Sequence, residues 1–166
     1  MSVGAPDCLR ILFLCTGNSA RSILAEAIAN RLGAGRVLAR SAGAKPAGRV
    51  NPAALAQLES LGYETDGLRS KSWDELALPD APAFDLIVTV CDNAAGEACP
   101  IWPGQPRRVH WSIADPAAVT GSPAAVEAAF AEAYRLLHAR IERLLDLPLT
   151  LSDAQALQHV PDGQAG

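Results

Sequence analysis

Apolar residues in this chain fall into two kinds of stretch, short continuous runs and longer ones with helical spacing. Arg10–Cys15 (RILFLC) is a short β-rich run halted by Thr16-Gly17-Asn18, which predicts a buried strand. From Ser19 or Ala20 to Leu32, apolar residues recur at Ile23, Leu24, Ala27, Ile28 and Leu32, predicting a helix that closes at Gly33. Arg36–Ala42 is a second strand candidate, stopped by Gly43 and Pro46. Asn51-Pro52 supplies an N-cap and a first-turn proline for a helix carrying Leu55, Leu58 and Leu61 and ended by Gly62. Ser72 caps a short turn, Trp73–Leu78. Phe84–Val90 (FDLIVTV) reads as a third strand and Arg108–Trp111 as a fourth. Ser122-Pro123 then opens the longest helix, with Val126, Phe130, Leu137, Ile141, Leu144 and Leu145 as its stripe and Pro148 as its end.

Strands alternating with helices predict right-handed βαβ units, an α/β fold in which a four-stranded parallel sheet has helices on both faces. Sites in such sheets form outside the carboxyl ends of the strands. Cys15, Cys91 and Asp115 follow the first, third and fourth predicted strands, so a parallel sheet brings all three to one edge. Residues 1–148 read as one catalytic domain and 149–166 as a C-terminal tail, in part disordered.

Composition narrows the chemistry. The chain has 166 residues, 49% hydrophobic and 19% charged, enough for one sizeable core. A net charge of -4 argues against nucleic acid or an anionic membrane as partner. The first fifteen residues include Asp7 and Arg10 and hold no export-type apolar run, which predicts a cytoplasmic protein with reduced thiols. Those thiols are Cys8, Cys15, Cys91 and Cys99. No CxxC pair or histidine cluster accompanies them, so no metal site is expected. Packing or redox chemistry remains. Cys8 and the three tryptophans read as structural, and His110 as a hydrogen-bonded strand-end residue outside the catalytic set.

The segment after the first strand is Cys15-Thr16-Gly17-Asn18-Ser19-Ala20-Arg21-Ser22. Gly17 and Asn18 tolerate positive φ, and a helix starts at once. Loop N–H groups and the helix N-terminus therefore converge on one point, suited to a tetrahedral oxyanion held by residues 16–22. Arg21 can clamp two of its oxygens with a planar fork. The same positive field favours a Cys15 thiolate, to which the Ser22 hydroxyl can donate. Such a cradle suits nucleophilic attack on phosphate or a phosphate mimic.

These residues resemble the loop of the low-molecular-weight protein tyrosine phosphatase family, Cys-x-Gly-Asn-x-x-Arg-Ser, matched at Cys15, Gly17, Asn18, Arg21 and Ser22. The resemblance spans about residues 8–146. It implies that fold, Cys15 as nucleophile, Arg21 as oxyanion binder, Asn18 as loop stabiliser, and Asp115-Pro116 as an Asp-Pro general acid. Some relatives hold an alkali cation behind the loop, which here would involve Asn18, Glu26 and Ser41.

Two activities exist within that family. Tyrosine phosphatases hold an aryl phosphate between aromatic walls, yet Ser41–Gly48 contains no aromatic residue and Asp115-Pro116 is followed by Ala117 and Ala118. The segment Cys91–Pro100, with Ile101-Trp102-Pro103-Gly104, His110-Trp111 and Ser41-Ala42-Gly43, instead resembles arsenate reductases built on the phosphatase fold. That resemblance implies that Cys15 attacks arsenate, Cys91 attacks Cys15 to leave a disulfide, and Cys99 passes the disulfide outward. It implies no bound cofactor and an external thiol donor, thioredoxin or glutaredoxin with glutathione. Hydrolysis of phosphate monoesters, and a non-catalytic anion or arsenic sensor, are the alternatives.

Overall fold

The computed structural model describes residues 9–77, 83–90 and 107–146. Their elements, in chain order, are β1 (Leu9–Cys15), α1 (Arg21–Leu32), β2 (Val37–Gly43), α2 (Pro52–Ser60), β3 (Leu86–Thr89), β4 (Arg107–His110) and α3 (Pro123–Asp146). Short 3-10 turns lie at Trp73–Glu75 and Pro116–Ala118. The strands form one parallel sheet in the order β2-β1-β3-β4, as the alternation of elements predicts. From β1 the chain first extends the sheet on one side with β2, then on the other with β3 and β4. Strand order therefore reverses at β1, and its carboxyl end is the switch point where α/β sheets place their sites.

β1 is apolar from Ile11 to Cys15 because it is central, and all five of those residues are buried. Its side chains alternate between two cores. Ile11, Phe13 and Cys15 pack with Leu24 and Ile28 of α1, Leu58 of α2 and Phe130, Leu137 and Ile141 of α3. Leu12 and Leu14 face the other way, onto Ala42, Trp73, Phe84 and Ile87. The two faces are covered unequally among the described residues, one by three helices and the other by the turn at Trp73.

The predicted caps are present. Asn51 Oδ1 accepts from Ala53 N at 2.8 Å, Ser72 Oγ from Asp74 N at 3.1 Å, and Ser122 Oγ from Ala125 N at 3.1 Å. Strand limits differ from the sequence reading, for tertiary reasons. β3 pairs only over Leu86–Thr89, because Phe84 turns into the second core and the Asp85 carboxylate takes the N–H of Arg10 at 2.9 Å. β4 starts one residue early, its register fixed by Leu86 opposite Arg107, while Trp111 packs against Phe13. α1 starts at Arg21 rather than at Ser19 or Ala20. Leu78, Pro148, the tail, Cys8, Cys91, Cys99 and Trp102 lie outside the described residues. No helix among the described residues is long and apolar enough to cross a membrane.

Candidate active site

β1 ends at Cys15, 4% exposed, directly beside Gly43 at the end of β2. The loop that follows is held from behind through its carbonyl groups. Thr16 O accepts from Lys45 N, Gly17 O from Ala47 N and Ser19 O from Asn51 N, each at 2.9 Å. Ser70 Oγ donates to Gly17 O at 3.2 Å. With its carbonyls turned outward, the loop keeps its amides for something else. No backbone N–H from Gly17 to Ser22 has an acceptor among the described residues, and the N-cap of α1, Ala20, makes no side-chain capping bond. A helix N-terminus and loop amides left unspent together form an anion cradle.

Asn18 fixes the loop's shape. It is the one non-glycine with positive φ among the described residues, at 46°, and is fully buried. Its Nδ2 donates to Ser22 Oγ at 2.8 Å and to Ser41 Oγ at 3.0 Å, while its Oδ1 accepts from Lys71 N at 2.8 Å. Since Asn18 supplies both hydrogens, both serines accept. The Ser41 hydroxyl hydrogen goes to Glu26 Oε1 at 2.6 Å, leaving the Ser22 hydrogen available to the cradle. Gly43 is required for closeness: a Cβ there would stand 2.5 Å from Thr16 O and 2.9 Å from Cys15 O.

Beneath the loop lie two buried charges, Glu26 at 7% exposure and Lys71 at 8%. Burial pushes the Glu26 carboxyl above its ordinary range, opposed by the Ser41 hydrogen bond and the charges of Lys71 and Arg40. Burial pulls the Lys71 ammonium below its ordinary range, opposed by the charge of Glu26. Lys71 Nζ donates to Arg69 O at 2.9 Å.

Arg21, the first residue of α1, reaches over the cradle. Its Nη1 donates to Ile113 O at 2.9 Å, and its Nη2 lies 3.5 Å from Asp115 Oδ2. Its Nε is buried with no hydrogen-bond partner. The Nε–Nη2 edge, one end unpartnered and the other loosely paired, is the fork a tetrahedral oxyanion fits. Asp115 caps the Pro116–Ala118 turn through Oδ1, which accepts from Ala117 N at 2.9 Å.

The structure thus brings together Cys15, the loop from Thr16 to Ser22, Arg21 and Asp115, as the sheet topology predicts. Cys91 and Cys99 lie beyond the described residues. Val90 N, however, donates to Leu14 O at 2.9 Å, so the residues preceding Cys91 and Cys15 are hydrogen-bonded neighbours. His110, expected to be hydrogen-bonded, has its Nδ1 2.7 Å from Thr89 Oγ1. Sequence reasoning assigned no role to Lys71 or to the Ile113 carbonyl; both act across long separations, and no local pattern marks them. Among the described residues no group of three or more His, Cys, Asp and Glu could hold a metal ion. A cleft of about 630 Å³ between α2 and the start of α3, lined by Ala53, Gln57 and Phe130, shares no residue with the cradle.

Comparison with known proteins follows the same line. Residues 10–158 match the model of the low molecular weight phosphotyrosine protein phosphatase family. The arsenate reductase of Halalkalibacterium halodurans is 38% identical over 112 residues, 68% of this chain and 77% of that one. The glutaredoxin arsenate reductase of Synechocystis is 32% identical over 107 residues, 64% of this chain and 78% of that one. The solved structure of a thioredoxin-dependent arsenate reductase from Corynebacterium glutamicum superposes with a TM-score of 0.61 at 25% identity, covering 86% of this chain and 62% of that one.

Proposed function

The chain belongs to the low molecular weight phosphotyrosine protein phosphatase family, and on that premise we propose that it is an arsenate reductase working through a covalent adduct and a disulfide relay. Arsenate seats on the Gly17–Ser22 amides and the Nε–Nη2 edge of Arg21. The Cys15 thiolate, stabilised by the amides and the Ser22 hydroxyl, attacks arsenic, and an arsenate oxygen leaves as water, with Asp115 placed to supply the proton. Cys91 then attacks the Cys15 sulfur. A sulfur–sulfur bond forms, the arsenic–sulfur bond breaks, and its electron pair stays on arsenic, which departs as arsenite. Two thiols have been oxidised by two electrons and arsenic reduced by two. Cys99 can attack Cys91 next, freeing Cys15 and presenting the disulfide to an external dithiol.

The observation carrying this reading is the 2.9 Å bond from Val90 N to Leu14 O, which joins the residues that precede Cys91 and Cys15 in the sequence. The names of the relatives support arsenate as substrate and a thiol protein as donor, glutaredoxin in one and thioredoxin in another. No aromatic side chain stands in Gly43–Val50 or immediately after Asp115-Pro116 to hold an aryl group.

The test is arsenate-dependent oxidation of NADPH through thioredoxin and thioredoxin reductase, repeated with the glutaredoxin and glutathione system. Wild type should turn over with at least one donor, and Cys15→Ser and Cys91→Ser with neither. Full activity in Cys91→Ser would overturn the relay. A high rate of aryl phosphate hydrolysis, unchanged in Cys91→Ser and without arsenate turnover, would make the protein a phosphatase.

A further inference from the structure

Glu26 and Lys71 are buried beneath the cradle, and no step above uses either. Ionised groups are retained inside a protein only when something compensates them. Here the compensation runs through the cradle itself: Glu26 to Ser41, Ser41 to Asn18, and Asn18 to the backbone N–H of Lys71. The ammonium of Lys71 is anchored on Arg69 O at 2.9 Å, beyond direct ion-pair contact with Glu26, and each buried charge favours the other's ionised form through the space between them.

The family resemblance implies an alkali cation at Asn18, Glu26 and Ser41, and these residues do meet. They do not suit a cation. Asn18 turns its amide nitrogen, not its oxygen, toward Ser41, and its one side-chain oxygen already accepts from Lys71 N. The Ser41 hydroxyl hydrogen points at Glu26. A hard cation needs several oxygen ligands, and here the field already contains a buried ammonium.

We propose that Lys71 is the cradle's built-in counter-cation: its ammonium balances Glu26 and its backbone N–H locks Asn18, so that anion binding needs no monovalent metal ion. Lysine suits this position because an ammonium is a compact point charge on a flexible stem. The inference rests on the cradle being the working anion site, and not on what is reduced there.

The experiment measures protection of Cys15 from iodoacetamide by inorganic phosphate, read by peptide mapping, in potassium chloride and in tetramethylammonium chloride at equal ionic strength. Arsenate turnover and Cys91 play no part, so a failed relay would leave the result unaffected. Wild type should give the same phosphate affinity in both salts, within about twofold. Lys71→Met keeps the backbone N–H but removes the charge, and should weaken phosphate binding by about tenfold, the order of a charged hydrogen-bond partner. Glu26→Gln combined with Lys71→Met removes both charges and should recover most of that loss, which a merely space-filling lysine would not predict. Wild-type affinity rising more than threefold in potassium, an unchanged Lys71→Met, or a double variant no better than the single would each overturn the proposal. If Lys71→Met does not fold, a folded double variant supports the charge pairing; if neither folds, the wild-type salt comparison decides.

Discussion

Asn18 and Asp115 both serve the cradle, and they are held in opposite ways. Asn18 is fully buried, with three hydrogen bonds of 2.8, 2.8 and 3.0 Å to Ser22, the Lys71 backbone and Ser41. Asp115 is 41% exposed in its side chain, with one oxygen on a turn N–H and the other 3.5 Å from Arg21. The floor of the site is set before any anion arrives, so it can favour a charge without reorganising when the charge appears. The rim is poised to change partners. On the proposed mechanism Asp115 would release Arg21 when an oxyanion takes the fork, leaving its carboxyl beside the oxygen that has to depart. Preorganisation and proton delivery would then fall to different parts of the site.

Substitutions can break this division, and the largest effect should come from the nucleophile between the two parts. Cys15→Ser should lower arsenate turnover by roughly 10⁴-fold or more, while calorimetry should find phosphate bound within a few-fold of wild type. Loss of binding along with turnover would mean the cradle needs the sulfur for its shape. Asp115→Asn should reduce kcat by about 100-fold, the contribution of a positioned acid, and leave KM for arsenate nearly unchanged. A tenfold rise in KM would place Asp115 in the floor after all. Asn18→Ala leaves the Lys71 N–H buried without an acceptor, at a cost of about 1–3 kcal/mol. It should appear in kcat/KM for arsenate and in the melting temperature together.

Gly43→Ala tests the floor from the neighbouring strand. Its Cβ would meet backbone oxygens that cannot turn aside, so unfolding in urea should show a loss of about 1–3 kcal/mol and oxyanion affinity should fall. The smallest effect belongs to a contact remote from the cradle. Burial and the 2.8 Å bond to Tyr63 hold the Tyr134 phenol above its ordinary value of 10.0. A folded-state value above the unfolded one gives stability that is complete below about pH 10 and is lost as pH rises through the folded value. Tyr134→Phe should therefore flatten the alkaline decline in melting temperature without altering arsenate turnover at neutral pH. Unequal turnover would tie α3 to the site.

The difference between floor and rim also tracks what the sequence makes legible. Cys15, Gly17, Asn18, Arg21 and Ser22 lie within eight consecutive residues, and the strand, tight loop and helix that aim them are all local signals. The caps at Asn51, Ser72 and Ser122 are local too, and each is made as the sequence predicts. Asp115 is legible through the parallel sheet and the Asp-Pro resemblance rather than through a local pattern, since it joins Arg21 across 94 positions of chain. Lys71 is one of two lysines beside twelve arginines, a bias that reads as drift until the fold buries one of them beside Glu26. Strand limits at β3 and β4 fail by a residue or two because Phe84, Asp85 and Trp111 answer to the two cores and to Arg10. Periodicity contains none of that.

The central claim is that Cys15 and Cys91 exchange electrons with one oxyanion, and disulfide mapping after a single turnover tests it most directly. Reduced Cys99→Ala is mixed with arsenate and no thiol donor, quenched in acid, digested and mapped. One disulfide, Cys15 linked to Cys91, is expected together with one equivalent of arsenite. Arsenite released without that linkage, or no arsenite from a protein that still binds the anion at Arg21, would contradict it.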